Sequence, residues 1–255
     1  MIDRRAFSIG LAAGVAGALL GTGRAQAVPT VRNVVLIHGL YADGSSWSKC
    51  IPLLQAAGMN VTAVQNPLTT FEDDVASAQR ALALQDGPTV LVAHSYGGMV
   101  LTQTGVAPNV TAVVYIAARA PDANENYSAL AKRFPTPPAS AGLITTDGYS
   151  RLGKDAFLND FANGVDPVEA NVLYAVQQAS VSSLSGTAKA TAAAWREKPS
   201  FYAVSKQDRT INPELERFMA ARMKATTIEI DSGHLSLVSH PHEVTHLILQ
   251  AAGHA

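Results

Sequence analysis

Thr89-Val90-Leu91-Val92-Ala93, running straight into His94-Ser95-Tyr96-Gly97-Gly98, is the stretch whose reading decides the fold. The first five residues make a short, continuous apolar run, the pattern of a strand buried on both faces. Tyr96 to Gly105 then reads as a helix. A serine at such a strand-to-helix junction is forced into a sharp turn, and its hydroxyl projects beyond the sheet edge instead of packing. The turn demands small residues two before and two after the serine. Ala93 and Gly97 satisfy it, although alanine stands where glycine is commoner. A serine that only caps the helix is the simpler reading; the buried strand in front of it favours a nucleophile.

The same pattern extends outward in both directions. Val34 to Ile37 is a second buried run, followed by a Gly- and Ser-containing loop from His38 to Ser46. A helix is expected over Trp47–Ala57 with Gly58 as its stop, a strand over Asn60–Val64, and a helix over Glu72–Leu84 with acids in its first turn. Val110–Ala117 reads as a further strand. This βαβα alternation predicts an α/β fold: a mostly parallel central sheet with helices on both faces. From Pro121 to about Lys198 the rhythm breaks, with prolines at 135, 137 and 138 and helices expected over Asn126–Phe134, Lys154–Ala162 and Pro167–Ser180. The expectation is an inserted helical cap at about 121–198. The sheet pattern resumes with a strand at Phe201–Ser205, a helix at Pro213–Met223, a strand at Thr226–Ile230 and a closing helix at His242–Ala252.

Composition narrows the function. The 255 residues are 47% hydrophobic and 15% charged, as expected of one globular domain. A formal net charge of −1, with no block of like charge, makes no electrostatic case for nucleic acid or an anionic membrane. The single cysteine, Cys50, excludes an intramolecular disulfide and multi-cysteine metal sites. Residues 1–27 read as an export signal: Arg4-Arg5, an apolar run from Ile9 to Leu20, then Ala25-Gln26-Ala27 as a cleavage site. The paired arginines resemble the twin-arginine type of bacterial signal. The mature chain, residues 28–255, is then expected in the periplasm or outside the cell, without a stable membrane anchor. It keeps 16 basic and 19 acidic residues, a net charge of −3. The sequence carries no signature of an oligomeric state.

A serine hydroxyl is a poor nucleophile near neutral pH and needs a base, which in turn needs an orienting acid. In this architecture they follow in the order serine, acid, histidine. Ser205-Lys206-Gln207-Asp208 follows one strand and Asp231-Ser232-Gly233-His234 the last one, so Asp208 and His234 fall at the sheet's carboxyl edge with Ser95. Asp122, after the strand ending at Ala117, and Asp231, three residues before the histidine, compete for the acid's role. Asp208 is preferred, because its strand is cleaner and its loop neighbours the histidine loop. Donors for a developing oxyanion are expected from the Tyr96 amide, at a helix start, and the Leu40 amide, in the His38-Gly39-Leu40 loop. His38 reads as a hydrogen-bonder that shapes this loop. His240, His242 and His246 lack the carboxylate–histidine pattern of a zinc site, so neither metal nor cofactor is expected. Cys50 reads as packing.

With Leu36-Ile37-His38-Gly39, the Ala93–Gly98 turn, Asp208 and Ser232-Gly233-His234 in place, the sequence resembles the α/β-hydrolase superfamily over residues 31–253. Pro52-Leu53-Leu54-Gln55-Ala56-Ala57-Gly58, Ala117-x-x-Ala120-Pro121 and His234-x-x-x-x-Ser239-x-Pro241 are similar to its branch of plant methyl-ester esterases and hydroxynitrile lyases. The resemblance implies cofactor-free cleavage of small esters, or of cyanohydrins. Lyases of that branch carry lysine directly after the histidine and threonine in place of Gly39; Leu235 and Gly39 favour the esterase side. Leu40 speaks against the cofactor-free haloperoxidases, which usually show an aromatic residue there. The expectation is a serine hydrolase acting on a small-molecule ester. A lyase, or a non-catalytic binder on the same scaffold, is the alternative.

Overall fold

In the computed structural model, which describes residues 31–254 apart from Thr187, the β-branched runs become the centre of a sheet. The expected export signal lies outside the described residues. In chain order the strands are β1 (Asn33–Ile37), β2 (Asn60–Ala63), β3 (Thr89–His94), β4 (Val110–Ile116), β5 (Leu143–Thr146), β6 (Tyr149–Leu152), β7 (Ser180–Val181), β8 (Ser200–Ser205) and β9 (Thr226–Ile230). Six of them form one sheet in the order β2-β1-β3-β4-β8-β9, every neighbouring pair parallel. Every residue of β1 and β3 is buried, which explains why these strands read as unbroken apolar runs rather than alternating ones.

The helices are α1 (Cys50–Ala56), α2 (Phe71–Ala83), α3 (Gly97–Thr104), α4 (Tyr127–Ala131), α5 (Lys154–Ala156), α6 (Pro167–Ala175), α7 (Pro213–Met223), α8 (Ser236–Ser239) and α9 (Pro241–Ala251). α1 packs against α9 and α2 against α3. The single helix expected over Trp47–Ala57 is divided: Asp43 caps a short 3-10 turn, Gly44–Trp47, and α1 starts only at Cys50. None of these helices is long and apolar enough to cross a membrane.

The segment 121–198, expected as a helical cap, contains strands as well as helices. β5 and β6 form an antiparallel hairpin, and β7 adds a third strand. The hairpin turns on Asp147-Gly148, both at positive φ (51° and 82°), the conformation that matches the strands' own twist. The helix expected over Lys154–Ala162 also breaks, because α5 gives way to a π-helical turn at Phe157–Phe161. That turn drives Phe161 onto the His234 ring, 5.2 Å away between centroids.

Candidate active site

The turn at Ser95 is as sharp as its sequence demands. Ser95 holds φ at +54°, a left-handed conformation that costs an L-residue about 1–3 kcal/mol and persists only where neighbours enforce it. Here the Ser95 amide donates to Ile116 O at 3.3 Å, and the Ser95 carbonyl accepts from Gly98 and Arg119 amides at 3.0 and 2.9 Å. Gly97 is obligatory: a Cβ there would stand 2.6 Å from His38 O and 2.9 Å from Ile37 O, both backbone atoms of the neighbouring strand end.

Three side chains from the ends of β3, β8 and β9 meet at this point. The Ser95 hydroxyl donates to His234 Nε2 at 2.9 Å, and His234 Nδ1–H donates to Asp208 Oδ2 at 2.5 Å. All three residues are buried. The other Asp208 oxygen accepts from the Thr210 and Ile211 amides at 2.6 and 2.8 Å, which fixes the carboxylate's rotation. Such a chain can hold the imidazole in the tautomer whose Nε2 lone pair faces the hydroxyl, ready to take its proton. Neither competing acid reaches His234. Asp122 pairs with Arg196, which holds its carboxyl below the usual range, and Asp231 accepts from Gln207 at the surface.

Leu40 follows β1 and Tyr96 follows Ser95, on adjacent strand ends, and among the described residues neither amide donates to a protein acceptor. Gly39 allows the approach, since a Cβ there would lie 2.7 Å from Ser95 Cβ and 3.2 Å from its Oγ. His38 braces the loop. Its Nδ1–H donates to Gly39 O at 2.8 Å, and its Nε2 accepts the Asn66 amide at 2.9 Å. Burial lowers the His38 pKa, so the ring stays neutral, as this donor-and-acceptor pattern requires. Cys50 is buried, and its thiol is pushed up to about 12, so it has no thiolate to offer near neutral pH. Among the described residues no group of three or more His, Cys, Asp or Glu is arranged to hold a metal ion.

Several supporting residues were not evident from sequence. His94 lies against the His234 ring, 4.5 Å between centroids and tilted by 53°, and donates its Nε2–H to the His234 carbonyl at 3.0 Å. Burial, then the neighbouring His234, holds its pKa well below the usual value, so it acts as a neutral brace. Glu216, on α7, is fully buried behind Asp208 and accepts the Ser205 amide at 3.0 Å. Burial and then the Asp208 charge push its carboxyl well above the ordinary range, so it is held protonated. Asp74, on α2, takes the Tyr96 hydroxyl at 2.8 Å and the Leu68 amide at 2.9 Å, and burial raises its carboxyl to about 6. It ties the residue after the nucleophile to the helical layer. Asn163, in the segment expected as a cap, donates to Gln207 O at 2.9 Å and so ties that segment to the Asp208 loop.

Residues 34–247 match the model of the alpha/beta hydrolase family. Methylesterase 9 of Arabidopsis thaliana is 26% identical, over 87% of this chain and 98% of its own. The carbendazim hydrolyzing esterase of a Nocardioides strain is 30% identical over 44% of this chain and 52% of its own. Among solved structures, polyneuridine aldehyde esterase superposes with a TM-score of 0.73 at 21% identity, covering 86% of this chain and 98% of that one.

Proposed function

This chain belongs to the α/β-hydrolase family, and on that premise we propose that it is an exported serine carboxylesterase acting on small carboxylic esters. Ser95 Oγ attacks the ester carbonyl carbon while its proton passes to His234 Nε2. Asp208 stabilises the imidazolium that results. The oxygen that becomes negative is held by the Leu40 and Tyr96 amides; one such donor is typically worth about 3 kcal/mol in the transition state. The imidazolium then protonates the departing alcohol, leaving an acyl group on Ser95. Water, deprotonated by His234, attacks that ester and releases the acid. The steps use only groups of this chain, and the partner is a small-molecule ester, neither nucleic acid nor a membrane.

The observation that carries this reading is the unbroken donor chain from Ser95 to His234 to Asp208, at 2.9 and 2.5 Å. Its esterase side is supported by the relatives, whose names are those of esterases. Gly39 and Leu235 point the same way, because the lyases of the resembling branch carry threonine and lysine at those positions. The cap, seated by Asn163 and closed over His234 by Phe161, would set the size of the acyl and alcohol groups. Export rests on Arg4-Arg5 and Ala25-Gln26-Ala27, and amino-terminal sequencing of the secreted form should begin near Val28.

A panel of p-nitrophenyl and methyl esters of increasing chain length tests the chemistry. Wild type should turn over the short members, and Ser95→Ala should lose at least about 10³-fold in kcat. Equal turnover by Ser95→Ala would refute it. Cleavage of mandelonitrile with no ester turnover would transfer the assignment to a lyase.

A further inference from the structure

Next to the strand end that carries Ser95 stands an arginine with no counter-ion among the described residues. Arg119 follows β4, and its backbone amide is the one that donates to Ser95 O at 2.9 Å. Its guanidinium lies 5.0 Å from the Tyr127 ring centroid and 5.9 Å from that of Tyr96. Arg196, Arg209, Arg217 and Arg222 each hold a carboxylate. Arg32, Arg80, Arg133 and Arg151 do not, but they are exposed to water. Arg119 has neither: it is half-buried, its Nε is buried without a partner, and no carboxylate lies within ion-pairing distance among the described residues.

Removing a guanidinium from water without pairing it is costly, and the aromatic faces offset only part of that cost. The group lines a cavity of about 230 Å³ together with Tyr127, Ser128, Ser185, Thr210 and Asn212. No aspartate or glutamate lines this cavity. The two nearby acids are committed elsewhere: Asp208 accepts from His234, Thr210 and Ile211, and Glu216 accepts from Ser205 and is held neutral by burial. A lone, permanently charged fork surrounded by hydroxyl and amide groups suits a planar carboxylate, whose two oxygens it can meet at once.

We propose that Arg119 and this cavity, whose Thr210 and Ile211 also hold Asp208 through their amides, bind an organic carboxylate. The carboxylate has two sources, a free organic acid that is not a product of this chain or an acid group carried by the ester itself. Only the second rests on the hydrolase reading.

Glutarate and the methyl esters of glutaric acid separate these cases. Calorimetry on wild type should show glutarate binding, neutral glutaramide should not bind, and Arg119→Gln should weaken glutarate at least tenfold. Arg119→Lys, which keeps the charge, should recover part of the loss; thermal unfolding of both variants identifies any that fail to fold. In parallel, the ratio of kcat/KM for monomethyl glutarate over dimethyl glutarate is compared between wild type and Arg119→Gln. A tenfold fall in that ratio, carried by KM, assigns the carboxylate to the substrate. An unchanged ratio with weakened glutarate binding assigns it to a free acid. Glutarate that binds wild type and a folded Arg119→Gln equally, or binds neither, overturns the proposal. Retained binding with no ester turnover leaves the proposal standing and sinks the hydrolase reading instead.

Discussion

Asp208→Asn should reduce kcat/KM about 10⁴-fold without unfolding the protein, and the geometry shows why. Three donors converge on this carboxylate: the Thr210 and Ile211 amides on Oδ1, and His234 Nδ1–H on Oδ2. Asparagine has one oxygen, and the two backbone amides, fixed by their loop, claim it. The NH₂ group is left facing His234 Nδ1, which must then present a lone pair rather than a proton. The proton moves to Nε2, the atom that now accepts the Ser95 hydroxyl at 2.9 Å. The base is lost, although every heavy atom keeps its place. A wrong tautomer of this kind costs about 10⁴ in rate, or about 5.4 kcal/mol at 1.36 kcal/mol per decade. Initial rates on p-nitrophenyl acetate, with circular dichroism and thermal unfolding as controls, measure it. Asp122→Asn and Asp231→Asn, which touch only surface partners, should stay within about twofold. A folded Asp208→Asn that loses less than about tenfold would refute the reasoning.

Gly97→Ala places a Cβ 2.6 Å from His38 O, so the turn and the Leu40 loop must separate; a loss of about 1–3 kcal/mol in stability and a larger loss in activity are expected from denaturant melts and rates. Glu216→Gln replaces a protonated acid by its neutral isostere. Because the folded pKa of Glu216 is raised above its ordinary 4.5, the wild type loses stability as pH rises from that value toward the folded pKa. Melts of Glu216→Gln across pH 5 to 8 should show that slope reduced; an unchanged slope would show that Glu216 is ionised in the fold.

Sequence legibility followed local signals, either an apolar run or a residue that starts or stops an element. α7 and β9 fall on the residues expected, because Pro213 starts the helix, and left-handed Lys224, φ 52°, ends it just before the strand. The cap hairpin escaped notice because every residue of β5 is exposed: with no buried face there is no apolar alternation, and only Asp147-Gly148 marked the turn. The π-helical turn at Phe157–Phe161 is likewise set by what Phe161 packs against, which no local pattern encodes. At the site, Ser95, Asp208 and His234 were legible because each follows a strand, and strand ends share a rim. Glu216 and Asp74 read as ordinary helix acids until packing buries them against Ser205 and Tyr96. The isolation of Arg119 is a property of the assembled fold: the sequence shows an arginine, and only the tertiary structure shows which acids it fails to meet.

The most direct measurement is covalent labelling by a fluorophosphonate, read by mass spectrometry of the peptide that contains residue 95. An activated Ser95 should take up one phosphonyl group, Ser95→Ala none, and His234→Ala only slowly. Equal labelling of wild type and Ser95→Ala, or an inert Ser95 in a folded, ester-cleaving protein, would contradict the account.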